Sequence, residues 1–233
     1  MPTPVVIALG GNQGEVPAAG RLALARLGTV SGVQVLRASR WYSTEPVGCE
    51  GEFLNAAALL RCDLTPPQLL KTLHEIEATH GRVRTAHWGP RPLDLDVVLW
   101  GTQQYDSPTL LIPHPAAWNR RFVLDPACEI AGEMVHPGLG QTLHQLRERL
   151  QQRPIQVAWS GPGTWSDFFE HTVFARFIGQ IEPASPGRAH VEFTTTRRTV
   201  QRPFEVCIPG NLVRARELVA LTLTAMLDEP HAV

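Results

Sequence analysis

The sequence predicts an α+β fold. Short apolar runs with strand character alternate irregularly with capped amphipathic segments, and no βαβ unit repeats. Loops are frequent, because 20 prolines and 19 glycines are spread between the apolar runs and form no low-complexity stretch. In the stretch from Leu93 to Leu99, Leu93, Leu95, Val97 and Leu99 alternate with Asp94 and Asp96. On a strand, that period of two sets both carboxylates on one face.

Length and composition bound the rest. A chain of 233 residues can bury a proper core as one large domain or two smaller ones. A formal charge of −1 gives no field to draw it to nucleic acid or to an anionic membrane, so neither is expected as a partner. Cys49, Cys62, Cys128 and Cys207 are scattered, without C-x-x-C or metal-ligand spacing. Met1-Pro2-Thr3-Pro4 has no basic n-region, Val5–Leu9 is too short for a signal core, and no run approaches the roughly 18 apolar residues of a membrane span. The expectation is a cytoplasmic protein with reduced thiols.

In chain order, Val5–Leu9 reads as a strand stopped by Gly10-Gly11-Asn12-Gln13-Gly14, with a helix from Pro17 to Leu27 closed by Gly28. The glycines match neither G-x-G-x-x-G nor G-x-x-x-x-G-K-[ST], so they are read as a turn. Val33–Trp41 is a second strand, followed by the loop Thr44-Glu45-Pro46-Val47-Gly48. Phe53–Cys62 is apolar except for Asn55 and the charged Arg61 near its end. A buried amide must find partners. They are either loop backbone or, with Phe53 as a stacking face, the polar edge of a planar heterocycle.

Thr65-Pro66-Pro67-Gln68 opens a helix, with Thr as N-cap, Pro at the first position and Gln three residues after the cap. Leu69, Leu70, Leu73 and Ile76 form its stripe, and Gly81 closes it. Glu77 near its C-terminal end opposes the helix dipole, so it either pairs with Arg82 or serves a ligand. In Leu111-Ile112-Pro113-His114-Pro115 a histidine is held between two prolines, suiting either a positioned donor or a plain surface turn. Gln141–Leu150 reads as a short helix, and Gln151–Pro154 as a linker. Beyond it, strands at Ile155–Trp159, His190–Thr196 and Phe204–Ile208, a helix at Trp165–Ile178 and a closing helix striped by Leu212, Ala215, Val219, Leu223 and Met226 give a small β-α-β-β-α unit.

The chemistry centres on His87-Trp88-Gly89-Pro90-Arg91-Pro92-Leu93-Asp94-Leu95-Asp96. Two like charges that close need a cation between them, and a carboxylate pair beside a guanidinium suits a metal–phosphate group. Alone, the pair reads as a solvated strand end. Taken with Phe53-Leu54-Asn55-Ala56-Ala57, Gly81-Arg82-Val83-Arg84, Ile112-Pro113-His114-Pro115 and Glu129-Ile130-Ala131, the stretch resembles the signature of the 6-hydroxymethyl-7,8-dihydropterin pyrophosphokinases of folate biosynthesis. The likeness covers about Val5 to Leu150. Residues 1–150 then form the pyrophosphokinase-like domain, and residues 155–233 an extension without a recognised relative.

The resemblance implies a ferredoxin-like, three-layer α-β-α domain that transfers pyrophosphate from ATP to the pterin hydroxymethyl group and releases AMP. It implies two Mg²⁺ ions on Asp94 and Asp96, with Arg82 and Arg91 joining these carboxylates as catalytic groups. Glu77, Arg84, Trp88, Val97, His114 and Arg120 would serve ATP. Thr44, Val47, Phe53, Asn55, Trp88 and Phe122 would hold the pterin, and Trp88 would close over the site. His87 stands where the family usually has Arg, Pro92 where Thr is common, Gly11 where Ser is common, and Phe53 for a frequent Tyr. Arg120, rather than Arg121, carries the functional role. The competing reading is a pterin- or nucleotide-binding regulatory protein with weak catalysis. A Mg²⁺ nuclease lacks the basic surface such a substrate demands. Residues 155–233 are expected to serve a homodimer, a contact with another enzyme of the route, or a second activity.

Overall fold

The computed structural model describes residues 2–44, 52–81, 92–195 and 204–233. Strands β1 (Thr3–Gly11), β2 (Val33–Ala38), β3 (Tyr42–Thr44), β4 (Phe53–Cys62) and β5 (Asp94–Trp100) form an antiparallel sheet. β1 lies between β4 and β5, while β2 and β3 succeed one another along the far side of β4. Val5–Leu9 can be central because it is apolar at every position, and both of its faces are covered. Val5, Ile7 and Leu9 pack with Ala56, Ala58 and Leu60 beneath helices α1 (Val16–Leu27) and α2 (Pro66–Thr79). At the start of α2, Gln68 Oε1 accepts the Thr65 N–H at 2.8 Å, as the capping pattern demands. Leu69, Leu73 and Ile76 are its buried stripe, and Gly81 takes φ +82° just past its end.

The other face of this sheet meets α3 (Arg121–Ala131), which packs along β4 and beside α4 (Leu143–Gln151). Two hairpins flank these elements, β6 (Tyr105–Ser107) with β7 (Leu110–Ile112) and β8 (Val135–His136) with β9 (Gln141–Thr142). Thr142 caps α4 by accepting the Gln145 N–H at 3.1 Å. The expected strand Val33–Trp41 is two strands, since β2 ends at Ala38 and β3 begins at Tyr42. The alternation along β5 is also interrupted. Ile7 pairs with Val97 and Val6 with Leu99, so Val98 bulges and Leu99 turns to the α3 face.

The C-terminal residues build a second, parallel sheet. Its order is β11 (Ile181–Pro183), β10 (Ile155–Trp159), β12 (Val191–Thr194) and β13 (Glu205–Cys207). The helix expected at Trp165–Ile178 is present as α5 (Ser166–Phe168), a π-helical turn (Phe169–Val173) and α6 (Phe174–Arg176). Helix α7 (Leu212–Leu227) closes this layer, with Asn211 accepting the Val213 N–H at 3.0 Å. The last strand, β14 (His231–Ala232), leaves the parallel sheet and pairs antiparallel with β3 of the first. Apolar packing is continuous across residues 151–154. Val6 and Ala57 of the first sheet, Leu124 of α3, Leu146 of α4, Val157 of β10 and Val219 of α7 belong to one core. Helices α3 and α4 are thus shared between the two sheets. Among the described residues no helix is long and apolar enough to cross a membrane.

Candidate active site

Register gathers the site. Across β1, Gly10 stands between Asn55 on β4 and Asp94 on β5, and Ala8 stands between Ala57 and Asp96. Alternation therefore sets Asn55, Asp94 and Asp96 on the sheet face turned toward α3 and α7. The two residues between them are the smallest available, which leaves the backbone of β1 open to a ligand. A methyl group on Gly10 would stand 3.2 Å from Asn55 Oδ1, tighter than most such contacts.

A cleft of about 420 Å³ opens over this face. Thr44, Phe53, Asn55, Asp94, Asp96, His114, Arg120 and Phe122 line it. These are eight of the ten candidates that fall within the described residues. Val47, Arg82, Arg84, Trp88 and Arg91 lie outside them, as does His87. Asn55 is buried, and its Nδ2 donates to Thr44 Oγ1 at 3.0 Å. The amide thus bonds a side chain of the neighbouring strand, a third outcome beside the loop backbone and the ligand edge.

Charge is arranged around Arg120. Burial depresses its pKa, while Asp96 and Asp94 pull it back up, so the guanidinium lies within electrostatic reach of both carboxylates. Its carbon sits 5.6 Å from the centre of the Phe122 ring, a cation–π distance that fixes both groups at the cleft. Arg121 is committed elsewhere. It gives Asp125 a forked pair of hydrogen bonds, Nε to Oδ2 at 3.1 Å and Nη2 to Oδ2 at 2.9 Å, and Arg147 meets the same carboxylate. That leaves Arg120 as the arginine of this pair that faces the cleft.

His114 is held from both sides. Its backbone N–H donates to the Val98 carbonyl at 3.0 Å, tying its loop to β5 at the bulge. Its Nδ1 accepts the Ala116 N–H at 3.2 Å, so the neutral ring carries its proton on Nε2. Burial, reinforced by Arg120 and opposed by Asp94, lowers its pKa to about 4. In the unfolded chain the imidazole titrates near 6.5. Below that pH the unfolded chain takes up the proton first, so folding is destabilised as pH falls from about 6.5 to about 4. The expected loss is about 3 kcal/mol once the pH is below both values. In the ligand-free protein, the His114 ring protons followed by NMR should titrate with a midpoint near 4; a midpoint near 6.5 contradicts this.

Two expected site residues do not line the cleft. Val97 belongs to the core under α1 and α2, on the far face of β5 from Asp96, so its side chain is structural. Glu77 is fully buried, and its Oε1 accepts the Leu95 N–H at 2.7 Å. A carboxylate on a backbone N–H is a strong hydrogen bond, worth about 1.5–3 kcal/mol. It secures β5 at the residue between the two aspartates, which accounts for an acid at this end of α2. Glu129 plays a comparable part, accepting from Arg40 N (3.2 Å), Arg40 Nε (3.0 Å) and Tyr42 Oη (3.1 Å), and so anchors β3 to α3.

Sequence reasoning passes over other residues of the cleft. Gly10 reads as a turn until its register beside Asp94 is known. Trp118 and Asn119 come after the His114 loop on a 3-10 turn (Ala117–Asn119) and line the wall beside Arg120. Val206, Leu218, Leu221, Thr222 and Ala225 reach the same cleft from the C-terminal layer. The available signal lies in α7 itself, which is apolar on more than the one stripe that faces the core.

Comparisons with known proteins bear on these features. Residues 6–132 match the family model described as 7,8-dihydro-6-hydroxymethylpterin-pyrophosphokinase. The chain is 43% identical over 146 residues to 2-amino-4-hydroxy-6-hydroxymethyldihydropteridine pyrophosphokinase of Synechocystis sp., covering 62% of this chain and 75% of that one. It is 39% identical over 130 residues to the protein of the same name from Bacillus subtilis, covering 55% and 78%. Among solved structures it is similar to Plasmodium falciparum HPPK-DHPS with pteroate, at a TM-score of 0.52 and 11% identity, over 95% of this chain and 61% of that one. At that identity the last likeness speaks for the fold alone, a mixture of helices and strands.

Proposed function

The chain belongs to the 7,8-dihydro-6-hydroxymethylpterin-pyrophosphokinase family, and from that premise we propose how its cleft divides the work of the reaction. The reaction moves pyrophosphate from ATP to 6-hydroxymethyl-7,8-dihydropterin, a step of folate biosynthesis. The pterin hydroxyl oxygen attacks the β-phosphorus, the bond from that phosphorus to the AMP oxygen breaks, and the hydroxyl proton is released. Positioning and electrostatics supply most of the catalysis in such a transfer.

Asp94, Asp96, Arg120 and His114 form the phosphate side. Two carboxylates on one face are a donor set that suits Mg²⁺, which takes one or two protein carboxylates and fills its octahedron with phosphate oxygens and water. Among the described residues no group of three or more His, Cys, Asp or Glu forms a cage. Asp94 and Asp96 would hold two ions, which when bound neutralise charge on the triphosphate. Arg120 stabilises the oxygens that gain charge as the β-phosphorus is attacked, and His114 offers Nε2–H as a neutral donor. Arg82, Arg84, Trp88 and Arg91 keep the nucleotide and loop roles that the resemblance implies. Glu77 acts through β5.

Thr44, Asn55, Phe53 and Phe122 form the pterin side, with Val47 and Trp88 added by the resemblance. The Asn55–Thr44 bond presents one polar edge beside two rings, the arrangement a flat heterocycle with donors and acceptors requires. A ferredoxin-like reading of the first sheet with α1 and α2, and a cytoplasmic setting, belong to the same proposal. So does a contact of the outer surface of residues 155–233 with a second copy or another enzyme of the route.

The observation that carries this reading is the convergence of Asp94, Asp96, Arg120 and Asn55 on one cleft. The full chain should release AMP from ATP only when Mg²⁺ and the reduced hydroxymethyl pterin are both present. Release of ADP contradicts it, since that product comes from cleavage at the γ-phosphorus. Tight pterin binding without turnover favours the regulatory reading instead.

A further inference from the structure

We infer that helix α7 of the C-terminal layer is the pterin-side wall of the catalytic cleft, with Leu221 and Thr222 as specificity-determining residues. The inference rests on the assignment of the pterin side given above. Residues 133–233 lie beyond the family match, so nothing in the family's own signature reaches this helix.

Three observations carry it. First, α7 has two apolar faces. Ala215, Val219, Leu223 and Met226 are buried in the shared core, whereas Leu218, Leu221, Thr222 and Ala225 line the cleft. A helix covered on one side only would carry one stripe; the second stripe here faces the substrates.

Second, the segment C-terminal to the helix ties it to the pterin side. Asp228–Pro230 lead directly into β14, where His231 pairs with Ser43 and Ala232 with Tyr42. The Val233 N–H adds a bond to the Trp41 carbonyl at 2.9 Å. Those partners immediately precede Thr44, which bonds Asn55. The C-terminal end of α7 is therefore anchored beside the Thr44–Asn55 pair.

Third, the chemistry of the two sides differs. The carboxylates and Arg120 suit a triphosphate, for which an aliphatic wall offers nothing. A pterin ring presents apolar faces and a polar edge. Leu221 supplies a surface for a face, and the Thr222 hydroxyl supplies a donor and an acceptor. Leu221 is half-buried, as a residue on the wall of an open cleft must be, so shortening it costs little of the folded core.

The test uses the whole 233-residue chain, assaying AMP release while each substrate is varied in turn. Removing the Leu221 side chain beyond Cβ forfeits apolar contact in the range that converts to about tenfold in affinity. Leu221→Ala should raise the pterin KM about tenfold and leave the ATP KM within about twofold, and Leu221→Met should restore the pterin value. Thr222→Val, which keeps the shape of the side chain, should raise the same KM and provides the test if Leu221→Ala does not melt cooperatively. The inference is overturned if the folded variants leave the pterin KM unchanged, or if both KM values rise together. Absence of AMP from the unaltered chain overturns the catalytic reading instead. Calorimetric titration of the pterin into the unaltered chain and Leu221→Ala then still decides whether α7 is its wall.

Discussion

Asp96→Ala is expected to lower kcat at least about a thousandfold, a loss of roughly 4 kcal/mol of transition-state stabilisation. Asp96 is exposed on the face of β5, so no core packing is lost with it. Its register partner, Ala8, is unaffected by a smaller neighbour. Removing the carboxylate has two effects in the same direction. It takes away half of the proposed Mg²⁺ anchor, and it leaves Arg120 with less opposing charge in a cleft whose burial already disfavours the cation. Asp94→Asn should act similarly while preserving shape. Steady-state turnover with circular dichroism on the same samples checks both; a folded Asp96→Ala protein with near-normal kcat removes the pair from the metal role.

The second large effect is on stability. Asp125 is buried in α3 between Arg121, which it meets through a forked pair of bonds, and Arg147 of α4. Asp125→Ala leaves two guanidinium groups facing each other without their shared anion, Arg121 among them almost fully buried. Breaking a buried ion pair by removing one partner costs about 3–5 kcal/mol. For a chain of this size that corresponds to a fall in Tm of roughly 10 °C. Because Asp125 also joins α3 to α4, the loss should extend to the core both sheets share. Thermal melts of Asp125→Ala and Asp125→Asn check this, and a Tm within about 2 °C of the parent contradicts it. Turnover measured well below the melt should change far less than for Asp96→Ala, since Arg120, and not Arg121, faces the cleft.

These two aspartates show how much the sequence reveals. Asp96 is legible because its strand alternates, and because the residues around it repeat a known order. Helix α2 is legible for a local reason, since Thr65, Pro66 and Gln68 state its start in four residues. The bulge at Val98 is not legible. A bulge depends on the strand opposite, and nothing within Leu93–Leu99 marks it, so plain alternation puts Leu99 on the wrong face.

Helix α3 is harder to read, because Pro126 lies inside it and because two of its charged residues, Arg121 and Asp125, point inward to each other. Glu77 is visibly misplaced for the dipole, but its partner is a backbone N–H on another element, which side-chain spacing cannot indicate. The parallel order of the C-terminal sheet escapes because β11 has only one strong apolar residue, Ile181, in three. The wall of the cleft escapes for the same general reason. Which of two apolar faces of a helix meets solvent, core or ligand is decided by tertiary packing.

The pairing of β14 with β3 also bears on the order in which this protein becomes whole as it is made. The two strands lie on the order of two hundred residues apart, so the edge beside Thr44 stays open until the residues that follow α7 have emerged from the ribosome. Closing so long a loop is entropically slow, and until it closes, β3 offers unpaired backbone groups to any neighbouring nascent strand.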